Sequence, residues 1–129
     1  MGRMQIIGVG LDATEIDRIA DMIDRYGDRF LRRVFTDDEI AYCQRKRDFA
    51  SSYAARFAAK EAAMKAFGTG PSRGVHWRGI EVVRRHGPPR LAFHDGAAAR
   101  LQAMGATSSL VTLTHSRDLA IAHVMLLRE

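Results

Sequence analysis

Glu61 and Lys65 stand four residues apart in the run Arg56-Phe-Ala-Ala-Lys-Glu-Ala-Ala-Met-Lys-Ala-Phe-Gly68. Helical spacing sets Phe57, Glu61, Lys65 and Gly68 along one face, with Arg56, Lys60 and Ala63 along the adjacent one. One carboxylate and several cations are thus carried on an alanine-rich rod of high helix propensity. The rod runs into Gly68-Thr69-Gly70, a loop that could approach a phosphate. Each part also has an ordinary reading. A Glu–Lys pair at this spacing serves any exposed helix, and a Gly-x-Gly is usually a turn.

Asp12 is the second group with chemical potential. It stands near the end of an apolar stretch, just ahead of a helix start. There it could simply favour the positive end of the helix dipole. It could also be half of a metal site, because Mg²⁺ takes oxygen ligands and often only one or two carboxylates, with water and substrate phosphates completing the shell. Asp12 and Glu61 would meet that demand if the fold brings them together.

These groups must be positioned by a small protein. The chain has 129 residues, 47% hydrophobic and 27% charged, which suits a single globular domain over residues 1–129. Its net charge is +5, which favours acidic partners without choosing among them. Cys43 is the single cysteine, so no internal disulfide can form and a reducing, cytoplasmic setting is expected. No signal peptide or membrane-spanning run is read, and no function is placed on Met1-Gly-Arg3.

Periodicity and punctuation give the elements. Residues 5–11 read as a strand whose Gly8 and Gly10 suggest close approach of another backbone or a ligand. Thr14 reads as the N-cap, with Asp17 three residues on, of a helix over 15–26 that buries Ile16, Ile19, Ala20 and Ile23. Gly27 ends it, and a short helix follows over 28–34. Thr36-Asp-Asp-Glu39 is a capping box opening a helix to about residue 46. Ser51 or Ser52 should cap the long helix, which stops at Gly68. Residues 80–85 and 90–94 read as a hairpin about Gly87-Pro-Pro89, Asp95 as the cap of a helix over 96–104, and 108–114 with 119–127 as a terminal hairpin. The sum is one α+β domain with four or five strands.

The order of motifs resembles the holo-(acyl-carrier-protein) synthase family of the 4′-phosphopantetheinyl transferase superfamily. Ile7-Gly-Val-Gly-Leu-Asp12 with Glu15-Ile-Asp-Arg-Ile19 is similar to its first motif, and residues 56–70 match its second nearly letter for letter. Gly87-Pro-Pro-Arg-Leu91 and Thr112-Leu-Thr-His-Ser116 resemble later strand motifs. The resemblance implies the 4′-phosphopantetheinyl transferase fold, a small antiparallel sheet packed on one long helix. It implies transfer of 4′-phosphopantetheine from coenzyme A to a serine of apo-acyl-carrier protein, a step of fatty-acid biosynthesis that releases adenosine 3′,5′-bisphosphate. It further implies catalytic roles for Asp12, Glu61 and Lys65, with Mg²⁺ on Asp12 and Glu61 and the Lys65 ammonium at the pyrophosphate. Arg56, Gly68, Thr69, Gly70 and His115 fall around the nucleotide and its phosphates. The small members are homotrimers with sites at subunit interfaces. Two positions depart from the pattern: Leu119 replaces a common aromatic residue, and Pro88 replaces the lysine usual before Pro89.

A basic stripe, Arg18, Met22, Arg25 and Arg29, follows helical spacing if the chain stays helical through Gly27. Alone it reads as a solvated face. With the resemblance it becomes a docking surface for acyl-carrier protein, a small acidic helical bundle. A small basic nucleic-acid-binding domain is the alternative. It lacks aromatics interleaved with the basic residues and any recognised nucleic-acid motif, so neither a nucleic-acid nor a membrane partner is expected.

Overall fold

In the computed structural model, which describes residues 3–129, ten main elements follow in order. Strand β1 (Gln5–Glu15) leads into helices α1 (Ile16–Tyr26), α2 (Asp28–Val34), α3 (Asp37–Gln44) and α4 (Phe49–Phe67). A hairpin of β2 (Ile80–Val83) and β3 (Arg90–Phe93), helix α5 (Asp95–Ala103), and a hairpin of β4 (Ser108–His115) and β5 (Leu119–Arg128) complete the chain. All pairings are antiparallel. One sheet has the order β1-β5-β4 and the other is the β2-β3 ribbon. Both rest on α4, as expected for an α+β domain with a small antiparallel sheet on one long helix.

Helix α4 is buried along most of its length, which its alanines allow by keeping the rod thin. Its C-terminal half packs with Ile80, Val124 and Leu126, and its N-terminal half, through Tyr53 and Phe57, with Ile19 and Phe35 from the helical layer. The glycines of β1 permit the closest contact. A Cβ on Gly8 would lie 2.6 Å from the Ala66 carbonyl oxygen, and one on Gly10 would lie 1.8 Å from that of Ala62. The strand therefore lies directly on the helix backbone, and the alternation of side chains turns Asp12, two residues beyond Gly10, toward α4 and Leu11 away from it.

Three expected caps are corrected. Thr14 does not cap α1: strand pairing with β5 continues to Glu15, and the Thr14 hydroxyl donates to Asp12 Oδ2 at 2.8 Å. Asp48, not Ser51 or Ser52, caps α4, accepting from the Ser51 amide at 3.2 Å and from its hydroxyl, so the helix starts earlier. Asp95 is the first residue of α5, not its cap, and makes no capping bond. The capping box of α3 is present, with Thr36 and Glu39 bonded reciprocally.

Lys60 is also not where the sequence put it. It is fully buried on α4, donating to Glu39 Oε1 at 2.8 Å, to the Trp77 carbonyl at 3.0 Å and to the Ile80 carbonyl. Glu39 in turn accepts from the Val82 amide at 2.9 Å. A buried ammonium with three acceptors and a buried carboxylate with its own donors satisfy one another. Lys60 thus ties α3, α4 and β2 together and is no part of a solvent-facing cationic row.

Candidate active site

The structure brings Asp12, Glu61 and Lys65 together. Strand β1 delivers Asp12 two residues beyond Gly10, where its carboxylate is buried, and α4 presents Glu61 and Lys65 on the facing side. The Lys65 ammonium donates to Asp12 Oδ1 at 2.9 Å and to the Leu11 carbonyl at 3.0 Å. Lys65 is thus paired across the strand–helix junction with Asp12. The Glu61–Lys65 surface pair considered from spacing is replaced by a tertiary one.

Glu61 is half-buried beside Asp12. Burial raises its pKa above 4.5, the charge of Asp12 and hydrogen bonding with it raise it further, and Arg18 and Lys65 pull partly the other way. Two close carboxylates repel, and a dication between them would relieve that repulsion. Among the described residues no group of three or more His, Cys, Asp or Glu could hold a metal ion by protein ligands alone. The Asp12–Glu61 pair nevertheless has the hard oxygen donors that suit Mg²⁺, which completes its shell with water and phosphate oxygens.

The loop at the end of α4 is open. Gly68 closes the helix in the left-handed region with φ 72°, and Gly70 follows at φ 57°. A Cβ at either glycine would meet nothing within 4 Å, so their conformation, not crowding, calls for glycine. The Thr69 hydroxyl donates to the Gly70 carbonyl at 2.8 Å.

Arg56 and His115 lie elsewhere. Both border a cavity of about 110 Å³ with Ser51, Ser52, Tyr42 and Arg84. Arg56 also borders a larger cavity of about 380 Å³ with Tyr42, Arg45, Arg84 and Arg85. The Arg56 guanidinium is buried and donates to the Ser52 carbonyl at 3.3 Å, while its Nε has no partner. At 3.6 residues per turn, Arg56 points roughly 140° away from Glu61 and roughly 180° away from Lys65. One chain therefore carries two groups on opposite sides of a buried helix: the Asp12–Glu61–Lys65 cluster, and the Arg56–His115 cavity. Tyr42 and Arg84 border the second group and were not singled out from sequence, and Thr14, which bonds to Asp12, was read there only as a helix cap. The available signal for Tyr42 was its place one turn after Glu39 on the capped helix.

The basic stripe is not one helix. Gly27, with φ 52° and ψ −131°, separates α1 from α2. Met22 still joins the parts, since it borders one groove with Arg18 and Arg25 and a second with Arg29 and Arg33. Arg18 also stands 5.7 Å from the Phe57 ring and its charge reaches Glu61, so it adjoins the carboxylate cluster.

The 4′-phosphopantetheinyl transferase superfamily model matches residues 8–122, which include every residue of both groups. The chain belongs to that superfamily. It is 48% identical over 122 residues to a holo-[acyl-carrier-protein] synthase of Solibacter usitatus, covering 94% of this chain and 98% of that protein. Among solved structures, the holo-[acyl-carrier-protein] synthase of Neisseria meningitidis aligns with a TM-score of 0.87 at 28% identity, over 95% of this chain and 98% of that one. The Helicobacter pylori enzyme, solved in complex with coenzyme A, aligns with a TM-score of 0.81 at 27% identity, over 92% and 98% of the two chains. No helix among the described residues is long and apolar enough to cross a membrane.

Proposed function

We propose that this chain is one transferase domain that moves 4′-phosphopantetheine from coenzyme A to a serine of apo-acyl-carrier protein, releasing adenosine 3′,5′-bisphosphate. The observation that carries the reading is the meeting of Asp12, Glu61 and Lys65, from segments some fifty residues apart, at one strand–helix junction. Asp12 and Glu61 would hold Mg²⁺, which when bound supplies positive charge to the pyrophosphate oxygens of the donor.

The protein's own groups account for the rest. The carrier serine attacks the phosphorus next to the pantetheine; its O–P bond forms as the bond to the nucleotide's bridging oxygen breaks. Glu61, half-buried beside Asp12, takes the serine proton. The Lys65 side chain is 55% exposed, so its ammonium can turn from Asp12 toward the leaving phosphate, whose charge it neutralises. Asp12, fixed by Thr14, holds its carboxylate in place throughout. Gly68, Thr69 and Gly70 offer an open backbone to the donor, and Arg56 with His115 receives its nucleotide end.

The opposed directions of the two groups support a homotrimer in which each donor lies between a carboxylate cluster of one subunit and an Arg56–His115 cavity of the next. The outer face of the three-stranded sheet supports it too. Val9 and Leu11 on β1 and Leu110 on β4 are each more than half exposed. Carrier protein would dock on Arg18, Met22, Arg25 and Arg29, whose guanidinium groups suit carboxylates. The buried, unpaired Cys43 fits a cytoplasmic, reducing setting.

The decisive assay mixes the protein with coenzyme A, Mg²⁺ and apo-acyl-carrier protein and follows carrier mass. A phosphopantetheine increment is expected, with a rate lowered about 10²- to 10⁴-fold in Glu61→Gln. No increment across several carrier proteins refutes the reading. Gel filtration should give three times the 14.4 kDa chain mass.

A further inference from the structure

Tyr42 sits on α3 with its ring among three cations. The Arg56 Cζ is 4.1 Å from the ring centroid, Lys46 Nζ 4.7 Å and Arg45 Cζ 5.8 Å. None of the three forms an ion pair with a carboxylate among the described residues. Arg56 is the most constrained of them, because it is buried with one carbonyl acceptor and an orphan Nε. A desolvated guanidinium without a counter-ion needs compensation. The negative face of an aromatic ring at this distance provides part of it, and leaves Nε without an acceptor and open to an anion.

The ring is itself held in place. Glu39, one turn earlier on α3, is bonded to Lys60 of α4 and to the Val82 amide, which ties α3 to α4 and β2. Tyr42 borders both cavities that Arg56 borders. Its phenol answers to the same cations. Burial raises its pKa, but hydrogen bonding to Lys46 and the charges of Arg56 and Lys46 outweigh that and hold it below 10.0.

We propose that Tyr42 is a positioning residue: its ring holds the Arg56 guanidinium against α3 so that the N–H groups not bonded to Ser52 meet a phosphomonoester at the nucleotide end of the donor, and Tyr42 thereby sets the preference for donors that carry this group. The inference rests on the transferase reading, with Arg56 at the nucleotide phosphate.

Coenzyme A and 3′-dephospho-coenzyme A distinguish the outcomes, assayed with wild type, Tyr42→Phe and Tyr42→Leu. The Leu variant should raise KM for coenzyme A about 3- to 30-fold, the range a desolvated cation–ring contact commands. It should leave kcat, the KM for dephospho-coenzyme A and the KM for carrier protein near wild type. The Phe variant, which keeps the ring, should restore most of the coenzyme A affinity. Equal losses on both donors, or a Phe variant as poor as Leu, overturn the inference while leaving the transferase reading intact. If wild type transfers from neither donor, the transferase reading fails. Calorimetric binding of adenosine 3′,5′-bisphosphate to the same proteins then still decides the role of the ring, with weakening expected in Leu but not in Phe. Should Tyr42→Leu melt below assay temperature, Tyr42→Met takes its place.

Discussion

Gly10→Ala is the most direct probe of how the strand places Asp12. A Cβ at this position would lie 1.8 Å from the Ala62 carbonyl oxygen, whereas ordinary contact begins at 3.4 Å, so strand and helix must separate by about 1.6 Å. The obstacle is helix backbone, and no rotamer change relieves it. Asp12, two residues on, is joined to Lys65 by a 2.9 Å bond that such a movement would break. Overpacking typically costs about 1–3 kcal/mol, and this clash belongs at or beyond the upper end. At about 3 kcal/mol a chain of this length should lose roughly 11 °C in Tm. Gly8→Ala is the internal comparison: its Cβ would lie 2.6 Å from the Ala66 oxygen, only about 0.8 Å too close, so the loss should be smaller. Thermal unfolding by circular dichroism ranks the two variants, and phosphopantetheine transfer should fall most in Gly10→Ala. A Gly10→Ala protein melting within about 3 °C of wild type, or one more stable than Gly8→Ala, would refute the close-packing argument.

Three further outcomes are expected. Glu39→Ala leaves the buried Lys60 ammonium without its counter-ion and should cost about 3–5 kcal/mol in urea unfolding, more than the double variant Glu39→Ala with Lys60→Met; a loss below about 1 kcal/mol would deny the pair its structural role. The Cys43 thiol, pushed up by burial from 9.0 to about 11, should be roughly 100-fold poorer in thiolate than in the unfolded chain at any pH below 9; iodoacetamide should leave it unmodified in the native protein and label it in urea, and rapid native labelling would contradict this. Arg25→Glu should raise KM for carrier protein about 10-fold, with strong salt dependence, and leave that for coenzyme A unchanged. Arg18→Glu should disturb both, because Arg18 also faces Glu61; an Arg25 variant that affects both substrates equally would count against docking on α1.

The local signals were sound where neighbouring residues alone determine the outcome. The capping box at Thr36, the stops at Gly27 and Gly68, and both hairpins stand where the sequence reading placed them. The glycines of β1 announced a close approach, and the Ala62 and Ala66 carbonyls are its object. Thr14, Ser51 and Asp95 misled because a hydroxyl or carboxylate near a helix start has several possible partners. Strand pairing claimed Thr14, and Asp48 claimed Ser51.

By itself the sequence determined the residue types and the rod that carries them: Glu61 and Lys65 one turn apart on an alanine helix that ends at Gly68, and the order of motifs that marks the superfamily. Only the tertiary structure decided which of those residues share a site. It drew Asp12 onto Lys65 and beside Glu61, withdrew Lys60 into a buried pair, and turned Arg56 to the far side of α4 with Tyr42 and His115. The physical reason is that a helix fixes angles between its own residues, while the strand lying on it, the helices packed behind it and the cost of burying a charge determine what each angle faces.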